Sequence, residues 1–272
     1  MNQKQQARLN LLSAVALVAG ELPKLGYATK RRDQREPGLD EKEKAEERLS
    51  ALWRRIFRKQ RERVLERLVT EFPDRKSLKI DLSFMDLDLD GEDSESLIKQ
   101  ITDMIWSGIS LFGKRSKPDI DYTLTNQQAA EKAREYVFGL VRGINDTTRD
   151  ALRNAVSSFV QTPGMTIGDL SNMIAPSFGA DRADRIAITE VTRAYASGEM
   201  AAGNALRQEF PGVRVIKIWF TNNDDRVCPI CAPLDGQEAE IGADFEGGES
   251  EPPAHPGCRC WIETTTALAE GV

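Results

Sequence analysis

The sequence predicts a mainly α-helical chain closed by a small β-containing carboxy-terminal module, an α+β protein whose helices come first. Apolar residues recur at helical spacing in successive runs between about residues 40 and 210. Pro211-Gly212 then ends the helical pattern, and VRVIKIWF alternates like a half-buried strand. Beyond it, all four cysteines and the only histidine fall between residues 228 and 260.

A chain of 272 residues with 40% hydrophobic side chains can bury a substantial core. Near the amino terminus, LNLLSAVALVAGELP follows Lys4 and Arg8 and imitates a signal peptide. It lacks a small-x-small cleavage site, and Glu21 and Pro23 interrupt it, so a core-facing or partner-facing helix is expected. The run is also too short to span a bilayer, and no membrane association is expected. Residues 1–40 are read as an arm with this helix.

From Asp40 to Phe72 the apolar positions Leu49, Leu52, Trp53, Ile56 and Phe57, then Val64, Leu65, Leu68, Val69 and Phe72, predict one long amphipathic helix ending at Pro73. Its stripe either packs inside the chain, against residues 97–112, or docks a partner, with Trp53, Ile56 and Phe57 at the centre of that surface. Asp86, Asp88, Asp90 and Gly91 match the first half of a calcium loop. Position 12 is Leu97 where a bidentate Glu is needed, and position 8 is Asp93 where an apolar residue packs, so an acidic loop leading into a helix is expected. That helix carries Leu97, Ile101, Met104, Ile105, Ile109 and Phe112 and is expected to stop at Gly113. Residues 41–118 thus form a first helical domain.

Beyond a polar link at Pro118, a second helical domain over residues 119–210 is predicted to hold three stretches. Thr125 caps one through Ala129, Ala133, Val137 and Leu140; DTTRDALRNAVSSFVQ is the next; RADRIAITEVTRAYASGEMAAGNALRQEF is the last. TPGMTIGDLSNMI lies between the last two, with a turn at Pro163-Gly164 and Thr166 or Asp169 as a cap.

The closing module, residues 211–265 with a tail over 266–272, has little apolar surface after Thr221 with which to order itself. Yet it carries Cys228-x-x-Cys231, 23 intervening residues, then His255-x-x-Cys258-x-Cys260. A structural Zn2+ would supply the missing organisation, because a tetrahedral thiolate and imidazole site contributes folding free energy where packing cannot. Cys228, Cys231 and His255 are the first three ligands; Cys258 is favoured as the fourth because its spacing repeats the first turn, with Cys260 as its alternative. Two other readings use the same residues: CPIC as a redox dithiol, and Cys228 or Cys258 as a nucleophile paired with His255. Between residues 221 and 255 nine acidic residues face Arg226 alone, so the module would repel nucleic acid.

Charge is uneven elsewhere too. Residues 1–76 hold 19 Lys and Arg against 12 Asp and Glu, a balance of +7, which leaves −13 for the rest. Non-specific DNA contact is therefore expected only through residues 1–76. Walker phosphate loops, Gly-x-Ser-x-Gly elbows and dinucleotide fingerprints are missing from the sequence, and a non-enzymatic role is expected.

The runs DALRNAVSSFVQTPGMTIGDLSNMI, RADRIAITEVTRAYASGEMAAGN, WFTNNDDRVCPICAPLDGQ and PPAHPGCRC together resemble the phage Mu F-like minor head proteins, or head morphogenesis proteins, over about residues 125–265. The resemblance implies a low-copy structural component of a tailed-phage head, made in the host cytoplasm and carried in the virion. Portal and capsid proteins are its implied partners, with contact to packaged DNA. It implies Cys228, Cys231, His255 and Cys258 as the metal set, the position of Cys260 being more variable. Glu190 matches the acid of the family's RTE-like helix, although Ile188 stands where that motif has Arg. The rival functions are a hydrolase, protease or nuclease, built on the Cys/His cluster, and a DNA-binding protein working through the basic quarter.

Overall fold

A computed structural model describes residues 36–71, 87–116, 123–162, 164–210, 212–222 and 224–268. Its elements are α1 (Leu39–Glu71), α2 (Gly91–Ser116), α3 (Thr123–Gln161), α4 (Ile167–Ile174), α5 (Ala180–Glu209), β1 (Val213–Phe220), β2 (Glu238–Glu240) and β3 (Trp261–Leu268). The protein is mainly helical, with one three-stranded antiparallel sheet in the order β2-β1-β3. Pro73, Phe72, Asp86 and Pro118 lie outside the described residues, as does the whole apolar run before Glu21.

The chain divides into two units. One comprises Glu43–Ile101 and Glu131–Ile188. Here the stripe of α1 is core: Leu49, Trp53, Ile56 and Phe57 are at most 1% exposed. Phe57 packs on Trp53 with ring centroids 5.5 Å apart and edge-on to Phe178 at 6.3 Å, while the Arg182 guanidinium lies 5.1 Å from its ring centre. Of the two readings of the stripe, packing inside the chain is the one observed for Trp53, Ile56 and Phe57. Phe178 and Arg182 cover Phe57, which in turn packs on Trp53.

The acidic loop is structural in the same unit. Asp90 accepts the Asp93 backbone N–H at 2.7 Å and so caps the start of α2. The Asp93 side chain, 2% exposed, is held by Arg55 at 2.5 Å and by Lys59 at 2.8 Å, with Lys59 also reaching Asp90. Charge pairing therefore replaces the apolar packing that a calcium loop would have at that position.

Two expected breaks do not occur. Helix α2 runs through Gly113 to Ser116, and the two stretches flanking Gly143 are one 39-residue helix, α3, that starts at Thr123. Gly139 and Gly143 cost such a helix about 1 kcal/mol each, too little to end it without a proline. Tertiary contacts bind the middle of α3: Asn145 donates to the Leu87 carbonyl at 3.1 Å, and Arg182 donates to the Ile144 carbonyl at 3.1 Å. Helix α4 starts as expected, Thr166 and Asp169 forming a reciprocal capping box behind Gly164, whose φ is 88°.

The other unit contains Thr102–Ala130 and Thr189–Val272, with residues up to Lys42. In it α2 and α5 cross at Gly108 and Gly198, where neither backbone leaves room for a Cβ. Strand β1 occupies the predicted residues and pairs with β3 from Val213↔Leu268 to Phe220↔Trp261. Its buried face is Val213, Val215, Lys217 and Trp219. The Lys217 ammonium lies 4.6 Å from the centre of the Phe245 ring and donates to the Ser250 carbonyl. Burial pushes its pKa below the ordinary lysine value, against the pull of Glu251 and Asp244. Strand β3 was not anticipated, although its Thr-rich run WIETTTAL has the β-branched composition of a strand.

Candidate metal centre

The first half of the site follows β1. Asp235 accepts from the backbone N–H (2.9 Å) and the hydroxyl (3.1 Å) of Thr221, which ties the end of the strand to the far side of the loop. Within the loop the Cys228 carbonyl accepts from the N–H groups of Cys231 and Ala232, at 3.1 and 3.0 Å. This knuckle turns the Cys231 N–H toward the Cys228 sulfur, at 3.4 Å, and places both thiols on its inner side. The second half is another turn, closed by Cys258 N–H donating to the His255 carbonyl at 3.1 Å, with Gly257 at φ 79°.

The two turns converge. His255 Nε2 stands 3.0 Å from Cys228 Sγ and 3.2 Å from Cys231 Sγ, and Cys231 Sγ stands 3.7 Å from Cys258 Sγ. His255 Nδ1 faces the Pro256 carbonyl at 3.0 Å. With its proton there, the imidazole directs an Nε2 lone pair at the sulfurs, as in a metal-ligating histidine with an outer hydrogen bond. Five donors thus form two triads that share Cys231: Cys228–Cys231–His255 and Cys231–Cys258–Cys260. All four cysteines are free thiols.

The donor chemistry fits zinc. Metal–sulfur bonds of about 2.3 Å at tetrahedral angles put sulfurs about 3.8 Å apart, and the Cys231–Cys258 separation is 3.7 Å. A packed floor supports the sulfurs: Cys231, Cys258 and Cys260 are at most 4% exposed, among Ala196, Trp219, Leu234, Phe245 and Ile262. The Trp219 and Phe245 rings meet edge to face with centroids 5.3 Å apart.

The thiols share charge unequally. A hydrogen bond from the Cys260 thiol pulls Cys258 down to about 5, against its burial. Cys260 is pushed up by that same bond and by burial, and Cys231 is pushed up to about 12 by burial and the neighbouring Cys258. Cys228 is lowered: burial opposes its thiolate, but the N–H groups of Cys231 and Ile230, the Cys231 thiol and His255 together outweigh it. Burial and the neighbouring thiols oppose ionisation of Cys231 and Cys260, and a divalent ion would offset that opposition.

The CPIC knuckle leads into a three-residue 3-10 turn, Ala232–Leu234, and offers Cys228 no helix N-terminus. His255 Nδ1 meets a backbone carbonyl where a nucleophilic pair would have a side chain to orient the imidazole.

Several residues outside the Cys/His set shape the site. Arg259, between Cys258 and Cys260, reaches both carboxylate oxygens of Asp224 at 2.7 Å and clamps one half of the site to the approach of the other. From α5, Thr189 Oγ1 accepts the Gly257 N–H at 2.8 Å and Thr192 Oγ1 donates to the Cys258 carbonyl at 3.0 Å. Their one legible signal was a pair of hydroxyls three apart inside a helix, where Thr is a weak helix former. Glu190, 5% exposed, pairs with Arg193 at 3.5 Å on the same helix.

A family model described as Phage Mu protein F like protein matches residues 89–263. The match begins ahead of the resemblance read from the sequence and takes in α2, α3, α5 and the whole Cys/His site. No curated protein and no solved structure matches the chain.

Proposed function

The chain belongs to the phage Mu protein F like family, and from that premise we propose that it is a minor head protein, a low-copy structural component joining portal and capsid, with a zinc ion organising its carboxy-terminal module. The observation that carries the reading is that one family match spans both the helical body and the converging Cys/His turns. Cys228, Cys231, His255 and Cys258 would hold the metal, with Cys260 as the alternative to Cys258. Bound there, zinc supplies a cross-link between two turns that have few apolar side chains of their own, worth on the order of 10 kcal/mol of folding free energy.

Contact with packaged DNA through residues 1–76 draws weaker support. On α1, Arg54 pairs with Asp184, Arg55 with Asp93, and Lys59 with Asp90 and Asp93. Three of the 19 Lys and Arg of that segment are therefore answered by the protein's own carboxylates. Among the described residues no helix is long and apolar enough to cross a membrane.

Two measurements test the proposal. Protein purified without added metal should contain close to one zinc per chain by elemental analysis, and less than half an equivalent would refute the metal. Heads assembled in an infection lacking this protein should be defective and be rescued by the wild-type chain. Normal heads and full infectivity without it would refute the structural role.

A further inference from the structure

We propose that Thr189 and Thr192, one turn apart on α5, are positioning residues for the metal centre: they hold the backbone of the His255–Cys258 turn where its two ligands meet the Cys228–Cys231 knuckle. The inference rests on the metal reading above.

The hydroxyls act in opposite senses on adjoining residues. Thr189 accepts from the N–H of Gly257, and Thr192 donates to the carbonyl of Cys258. The first bond holds the 256–257 peptide and the second the 258–259 peptide, so the backbone of Gly257 and Cys258 is gripped at both ends, which neither bond does alone. Both threonines are buried, at 8% and 1% exposure, so water does not compete for these bonds. A β-branched side chain in a helix has few χ1 choices, so the hydroxyls are aimed before the turn arrives. The turn needs such help because Gly257 is in the left-handed region and Pro256 is exposed.

Helix α5 continues this role along its length. Ser197 donates to Glu251 at 2.9 Å, and Glu199 accepts from the N–H and the hydroxyl of Thr264, at 2.9 and 2.8 Å. Ala196, on the same face as Thr189 and Thr192, packs in the cysteine cluster. The helix is thus a ruler along which the turn, the loop before it and β3 are each set at a fixed height. The metal site is accordingly no autonomous finger, since two of its four ligands take their placement from a helix that ends before β1.

The test measures zinc affinity of the full-length protein by competition with a chromophoric chelator, for the wild type, Thr189→Val, Thr192→Val and Thr192→Ser. Removing an outer-shell partner of a metal ligand weakens binding roughly 10- to 100-fold. Each valine variant should therefore bind zinc at least about 10-fold more weakly, and Thr192→Ser should stay close to wild type. Should Thr192→Val fail to fold with zinc present, Thr192→Ser against Thr192→Ala decides by the same comparison. Valine variants that melt earlier but hold zinc with unchanged affinity would overturn the inference and leave the metal reading standing. A wild-type protein that binds no zinc would overturn both.

Discussion

Gly108 and Gly198 are in backbone contact where α2 crosses α5: a Cβ on Gly198 would stand 2.9 Å from the Gly108 Cα, and one on Gly108 would stand 3.1 Å from the Gly198 Cα. Alanine favours an open helix by about 1 kcal/mol over glycine, but overpacking a close contact costs about 1–3 kcal/mol. Gly198→Ala should therefore lower stability in denaturant titration. Gly143→Ala, where a Cβ meets nothing within 4 Å, should raise it by up to about 1 kcal/mol. Equal effects of the two substitutions would show that the crossing is not close.

Phe57 is fully buried between Trp53, Phe178 and Arg182. Phe57→Ala should cost about 3–5 kcal/mol, as large-to-small core changes do, and lower the melting temperature accordingly. A variant that melts like wild type yet fails to enter heads would restore the partner surface that the packing argues against.

Asp184 accepts from the Ser50 hydroxyl and, at 2.7 Å, from Arg54. The Ser50 bond first, then Arg54, hold its carboxyl below the ordinary carboxylate value. A depressed folded pKa contributes stability that is present above the ordinary value, about pH 4, and is lost as pH falls through the folded one. Melting curves of wild type and Asp184→Asn should therefore differ at neutral pH and converge as pH falls below the depressed folded value. A constant gap at every pH would remove the charge from the explanation.

The spacing of His255 and Cys258 repeats that of Cys228 and Cys231, which favours Cys258 over Cys260 as the fourth donor. Cys258→Ser should lose zinc during dialysis against a weak chelator, and Cys260→Ser should retain it. The reverse order would make Cys260 the fourth ligand.

Residue order by itself determined the periodic elements and the two Cys/His turns. Helices α1 and α5, strand β1 and the capping box at Thr166 sit where spacing and caps put them, because each depends on neighbours within a turn or two. The Cys228-x-x-Cys231 and His255-x-x-Cys258 turns were legible for the same reason, as short backbone loops closed by their own hydrogen bonds. Only the tertiary structure decided what joins them. That α3 continues past Gly143, that Phe57 faces Phe178 and not a partner, and that Lys217 points inward onto Phe245 all depend on groups far along the chain. The grip of Thr192 on Cys258 spans 66 residues. Such contacts follow from which surfaces can pack and which buried polar groups then need partners, and no local pattern encodes that choice.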